Sequence, residues 1–249
     1  MPRQARRKSE SGIYHVMLRG INQQLIFEDA EDNQKFLEIL KECKAVSECK
    51  IFAYCLMGNH IHLLMKVEKE GLEQIFKRIG GRYVYWYNGK YRRAGHLFQD
   101  RFKSEPVEND EYFLTVMRYI HQNPIKANMV KAVADYSLSS YSEFINLKDD
   151  QLVDTDFVFK MISKDEFVRF HNEVSSDKCL EMEENKFRVT DEQAKEIILK
   201  IAKCHNASEF QELEIKTRDI KIKMLKEKNL SIRQISRLTG MSFGVIRKG

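Results

Sequence analysis

Apolar and polar residues alternate along 13–19 (Ile-Tyr-His-Val-Met-Leu-Arg), the period of a strand. From about Asp32 to Val46 the period lengthens to that of a helix, with Phe36, Leu40 and Cys43 on one stripe. Residues 51–57 read as a second strand, Gly58-Asn59 as a turn and residues 60–67 as a third strand, and so short a connection makes these two strands an antiparallel pair. A further helix runs from about Gly71 through the aromatic run Tyr83-Val84-Tyr85-Trp86-Tyr87 to Asn88-Gly89, after which residues 97–107 return as a loop and a strand. The order βαββαβ predicts an α+β fold, a ferredoxin-like antiparallel sheet with helices on one face and the other face left for work. A helix capped near Asn109 or Asp110 and stopped by Pro124 should follow.

The third strand carries the first candidate chemistry. Ile61, Leu63, Met65 and Val67 point to one side and His60, His62, Leu64 and Lys66 to the other. The fully apolar side should pack on helices, which leaves two imidazoles side by side on the opposite surface, about the separation that grips one ion. Imidazole ligands alone leave the metal open among several divalent ions. With no HExxH helix, Cys pair or dense carboxylate cluster, a zinc protease or a two-metal nuclease is disfavoured.

On the helix over 109–124, Tyr112, Tyr119 and Asn123 share a face, whereas Phe113, Val116, Met117 and Ile120 form the packing side. A tyrosine there is ordinarily a packing residue. Beside an ion it gains a use: a phenol with a pKa near 10 is a poor nucleophile until a cation stabilises its oxyanion or the phosphate it attacks.

Composition and charge narrow the class. The 249 residues are 43% hydrophobic and 32% charged, which suits one catalytic domain and a small appendage. Five cysteines without a CxxC pair read as thiols of a reducing cytosol, and the lack of an apolar run of spanning length or of a signal peptide predicts a cytoplasmic protein without a membrane partner. The net charge of +5 is unevenly spread. Arg3, Arg6, Arg7 and Lys8 suggest a flexible basic arm; residues 148–184 hold 11 acids against 5 bases, and residues 216–249 hold 10 bases against 2 acids. Basic ends imply a polyanionic partner.

Arg19-Gly20, His60-Ile61-His62, His96-Leu97-Phe98-Gln99-Asp100-Arg101-Phe102 and Arg118-Tyr119-Ile120-His121-Gln122-Asn123-Pro124 together resemble the single-tyrosine transposases of bacterial insertion sequences, nearest to the REP-associated tyrosine transposases among the HUH nucleases. The resemblance covers about residues 10–145. It implies Mg²⁺ or Mn²⁺ on His60 and His62 with Asn123 completing the site, and attack by Tyr119 that leaves a 5′-phosphotyrosine and a free 3′-OH. His121 is the reserve ligand, because a pre-proline residue such as Asn123 is biased away from helix. The implied partner is single-stranded, hairpin-containing DNA, bound by a monomer or a homodimer. Arg19, Lys90, Arg92, Arg93, Arg101 and Lys103, interleaved with aromatic residues, are the cations expected to follow phosphates.

The domain reading is therefore 1–147 catalytic, 148–189 an acidic linker or helical spacer, and 190–249 a helical module, opened by a capping box at Thr190 and Gln193. In residues 231–248 the apolar Ile235, Met241 and Ile246, the small Ser236 and the turn at Gly240 form a helix-turn-helix-like pattern, with Arg233, Arg237 and Arg247 as candidate DNA contacts. Two alternatives stand beside the transposase reading: a non-catalytic DNA-binding regulator on the same scaffold, and a hydrolase in which water attacks and Tyr119 only packs.

Overall fold

In the first unit β1 (Ile13–Arg19), α1 (Ala30–Ser47), β2 (Lys50–Met57), β3 (His60–Lys66), α2 (Leu72–Lys90) and β4 (Lys103–Pro106) follow one another in the expected order. The computed structural model describes residues 6–99, 101–147, 151–173, 175, 179–180, 191–204, 206–228, 230 and 232–248. The chain forms two units, Met1–Glu181 and Met182–Gly249. All pairings in the sheet are antiparallel, in the order β2-β3-β1-β4.

Strand alternation gives the sheet two different faces. Leu18 of β1 lines a cavity with Phe76 and Val84 of α2, and the rings of Phe27, Phe36 and Tyr83 pack edge-on among α1, α2 and the turn before them. Asp29 caps α1 through a reciprocal box with Asp32, which satisfies two backbone donors at the helix start. The opposite face, expected to be bare, is covered. Helix α3 (Asp110–Lys126) lies over β2 and β3, with Phe113 against Phe52 at a centroid separation of 5.1 Å. Its Phe113, Val116, Met117 and Ile120 are all buried, so an amphipathic helix follows its apolar stripe onto the only remaining apolar surface of the sheet.

Asn109 caps α3, its side chain accepting from the Tyr112 N–H. The helix does not stop at Pro124; it continues to Lys126, and the Ala127 N–H still reaches the Asn123 carbonyl at 2.9 Å. Pro124 lies in the last turn and is buried, so one missing N–H is outweighed by packing at little cost to the helix. Asn123 consequently keeps a helical position despite the proline.

The acidic stretch is not a linker where it is described. Helices α4 (Tyr141–Ile145), α5 (Thr155–Phe159) and α6 (Lys164–Asn172) pack on the first unit. Phe157 stacks on Phe52 at 4.7 Å, and Phe144 stacks on Phe167 at 4.7 Å. Among the described acids of this stretch all but the half-buried Asp154 are exposed, while Val158 and Phe167 are fully buried, so charge counting concealed a core pattern. Part of the basic arm is likewise fixed: Arg6 donates to Glu73 at 2.6 Å and lies 3.9 Å over the Phe102 ring. Arg3 lies outside the described residues.

The second unit contains α7 (Asp191–Ala202), α8 (Ala207–Gln211), α9 (Ile215–Glu227), α10 (Ile232–Thr239) and α11 (Phe243–Lys248) around a core of its own that includes Phe210, Ile222, Ile235 and Ile246. Gly240 turns between α10 and α11 at φ +67°, and a side chain there would collide with Gln211. Thr190, half of the expected capping box, lies outside the described residues.

Candidate active site

The side chains of β3 divide as alternation requires, and His62, buried at 1% exposure, faces α3. His60 and His62 bring their ring centroids to 5.1 Å at an interplanar angle of 83°. Tyr119 of α3 sits edge-on to His62 at 5.7 Å and to His15 of β1 at 5.8 Å. The imidazole pair and the phenol that sequence reasoning singled out therefore lie in one cluster of rings, with Tyr119 itself buried at 3% exposure.

Each ligand ring has its Nδ1 engaged. His60 Nδ1 bonds Asn59 Oδ1 at 2.7 Å, and His62 Nδ1 bonds His15 Nε2 at 3.0 Å. Neither Nε2 has a hydrogen-bond partner among the described residues. Both rings are held neutral: burial, helped by the charge of Arg19, lowers His60 to about 4, and burial, with His15 and His60, lowers His62 well below the ordinary value. Two neutral imidazoles, each with one unspent nitrogen, fit a divalent ion. Among the described residues no group of three His, Cys, Asp or Glu side chains could hold a metal, so further ligands would have to be an amide, water or substrate oxygen. Asn123, the expected amide ligand, lies one turn beyond Tyr119 and donates through Nδ2 to the Tyr119 carbonyl at 2.9 Å.

His121, the reserve ligand, is elsewhere. It is fully buried, with Nδ1 on His171 Nε2 at 2.9 Å and Nε2 on Ser140 Oγ at 2.8 Å, edge-on to Tyr141 and Phe144. Two positions from Tyr119 is about 200° around a helix, which carries its ring to the opposite side.

Three neighbours of the site were not read from the sequence. Lys126 places its ammonium 4.3 Å from the Tyr119 ring centroid. His15 is fully buried and bonds Glu105 Oε1 of β4 through Nδ1 at 2.9 Å. Burial works to raise the Glu105 carboxyl, but His15, the Leu180 N–H and the Tyr112 hydroxyl together hold it below its ordinary value. The available signal was a histidine inside an otherwise apolar strand; its partners follow only from register.

The expected DNA cations separate into spent and unspent. Lys90 is caged by Asp29, Asp32 and Glu31 at 2.8–2.9 Å, where the three carboxylates raise it above its ordinary value against the pull of desolvation. Its expected role as a phosphate contact is replaced by a structural one, since it ties the end of α2 to the cap of α1. Arg93 lies over the Tyr87 ring at 5.4 Å and reaches Gln24. Arg101 is exposed, 3.6 Å from Glu73. Arg92 and Lys103 are exposed and make no ion pair among the described residues. Arg19, opposite His60 in the β1–β3 register, has its Nε buried without a hydrogen bond. Arg237 is exposed on α10, and the side chains of Arg233 and Arg247 lie outside the described residues. The expected aromatic platform is mostly core: Tyr83 and Tyr87 are buried and bonded to backbone carbonyls, while Tyr85 is 85% exposed.

Residues 8–123, which span β1 to Asn123 and contain every residue of this site except Lys126, match the family model described as "Transposase IS200 like". Over that region the chain is similar to the IS200-like transposases. No curated protein sequence matches. The chain is similar in fold to a solved REP-associated tyrosine transposase bound to a REP hairpin, with a TM-score of 0.53 and 15% identity over 73% of this chain and 100% of that one. A presumed transposase from Deinococcus radiodurans R1 matches with 15% identity over 49% of this chain and 97% of that chain, at a TM-score of 0.35. No helix among the described residues is long and apolar enough to cross a membrane.

Proposed function

We propose that this chain cuts and rejoins single-stranded, hairpin-containing DNA, with Tyr119 as nucleophile and His60, His62 and Asn123 holding Mg²⁺ or Mn²⁺. The observation that carries the reading is the approach of the Tyr119 ring to 5.7 Å from His62, whose Nε2 is unspent. A divalent ion bound there would withdraw charge from the phosphate and stabilise the phenolic oxyanion. The chain's own residues do the rest. His60 and His62 offer lone pairs, Asn123 fixes the turn that carries Tyr119, and Lys126 adds a positive charge over the phenol.

In the reaction the Tyr119 oxygen forms a bond to phosphorus and the bond to the 3′-oxygen breaks. The phenol loses one proton and the leaving oxygen gains one. One phosphate ester replaces another, so the joining step needs no ATP and is the same exchange run backwards with a new 3′-OH. Arg19, Arg92, Arg93, Arg101 and Lys103 are suited to phosphate contacts, and Arg237 of the second unit, with Arg233 and Arg247, to additional affinity. The hairpin in the complex of the fold relative supports a hairpin substrate.

The test is to incubate the protein with Mn²⁺ and hairpin-bearing single strands and to look for a complex that survives denaturation. Tyr119→Phe should form none. Absence of the complex across varied hairpins would defeat the proposal, and nicking at the wild-type rate by Tyr119→Phe would transfer the attack to water. Full biological function in His60→Ala and His62→Ala would instead mark a regulator.

A further inference from the structure

Three side chains stand in line across the sheet. Glu105 Oε1 lies 2.9 Å from His15 Nδ1, and His15 Nε2 lies 3.0 Å from His62 Nδ1. Strand register builds the line. His15 is directly opposite Glu105 in the β1–β4 ladder, and His62 is opposite Met17, one same-face step along β1 from His15. The His15 and His62 rings stack at 5.2 Å and 29°. His15 has no solvent access, so each of its nitrogens has only this one partner.

We propose that Glu105 and His15 are positioning residues that fix the tautomer of His62 and so prepare its Nε2 to take the metal. A carboxylate can only accept, so the His15 proton is on Nδ1. In a neutral His15 ring Nε2 is then the acceptor. His62 must donate to it, which puts the His62 proton on Nδ1 and leaves the Nε2 lone pair for the ion. The reverse arrangement, a proton on His62 Nε2, would close the site to any cation. The carboxylate also polarises both rings along the line and increases the basicity of the ligating nitrogen. His60 has a shorter version of the same device, its Nδ1 on Asn59 Oδ1 at 2.7 Å.

The inference rests on the proposed metal site, and the experiment separates the two. In metal-free wild-type protein, ¹⁵N chemical shifts should show His62 protonated at Nδ1 and bare at Nε2. Mn²⁺ affinity, measured by calorimetry without DNA, should fall roughly 10- to 100-fold in His15→Leu. His15→Gln, whose Oε1 can accept where Nε2 did, should recover most of that loss, and Glu105→Gln should lose less than His15→Leu. Thermal midpoints accompany each affinity. A merely structural role would lower midpoints without moving the His62 shifts or separating Leu from Gln at position 15. A proton on His62 Nε2, or Mn²⁺ affinity unchanged in both His15→Leu and Glu105→Gln, overturns the proposal. Wild-type protein that binds no Mn²⁺ overturns the metal reading and this one with it. If His15→Leu does not fold, the wild-type shifts and the His15→Gln and Glu105→Gln affinities still decide.

Discussion

The first unit buries two histidine clusters, and they differ in one respect that separates chemistry from packing. In the pair His121–His171 all four ring nitrogens are used: on each other, on Ser140 Oγ and on the Phe167 carbonyl. In the trio His15–His60–His62 two nitrogens have no partner among the described residues. Apart from the half-buried His60 both clusters are buried, and both contain rings held neutral by desolvation. Burial and lowered pKa therefore do not mark a site; an unspent lone pair does.

The largest effect should come from the unspent cluster. His62→Ala should reduce covalent-complex formation by about 10³-fold, the several kcal/mol expected of charge stabilisation by a bound ion, as read on denaturing gels. His121→Ala should do the opposite. It leaves Ser140 and His171 short of a partner beside a new cavity and should cost about 3 kcal/mol of stability in denaturant titration, with cleavage retained at temperatures below the lowered midpoint. An inactive but fully stable His121→Ala protein would erase the distinction between the clusters.

Acid should find the spent cluster too. A histidine lowered in the fold takes its proton more readily in the unfolded chain, so its contribution is complete above about pH 6.5 and is lost as pH falls. His171, lowered from 6.5 to about 4 chiefly by burial, should by itself remove about 3 kcal/mol between those limits, and His121 shifts in the same direction. A thermal midpoint that is flat from pH 7 to pH 4.5 would contradict this.

The same distinction sorts the cations, where the smallest effects lie. Lys90→Met should lower the thermal midpoint and leave DNA affinity nearly unchanged, because its ammonium is already committed to three carboxylates. Arg92→Ala and Lys103→Ala should leave the midpoint unchanged and each reduce the salt dependence of single-strand binding by about 0.7 in log–log slope. A Lys90 variant with the larger loss of slope would reverse the assignment.

The order of elements along the chain and the pairing of His60 with His62 were legible because both depend on local periodicity. Strand alternation alone sends two residues at i and i+2 to the same face. Tyr119 was legible only in combination with them, since its own helix is an ordinary amphipathic one. What escaped were facts of register and of packing between distant segments. Glu105 is 90 residues from His15 and looks like a surface acid in a short edge strand. His121 was chosen as a ligand by proximity in sequence, which a helix overrules within two residues. The acidic stretch was judged by its charges, whereas Phe157, Val158 and Phe167 determine where it lies.

Helix α3 holds Tyr119 against His15 and His62 of the sheet, and beside it Phe113, Val116, Met117 and Ile120 are buried as anchors. Swinging that helix would mean stripping four apolar side chains from their seats, several kcal/mol each way. In the proposed reaction the tyrosine is thus the stationary party. The severed 5′ end stays pinned where it was cut, and it is the acceptor strand that must travel to it.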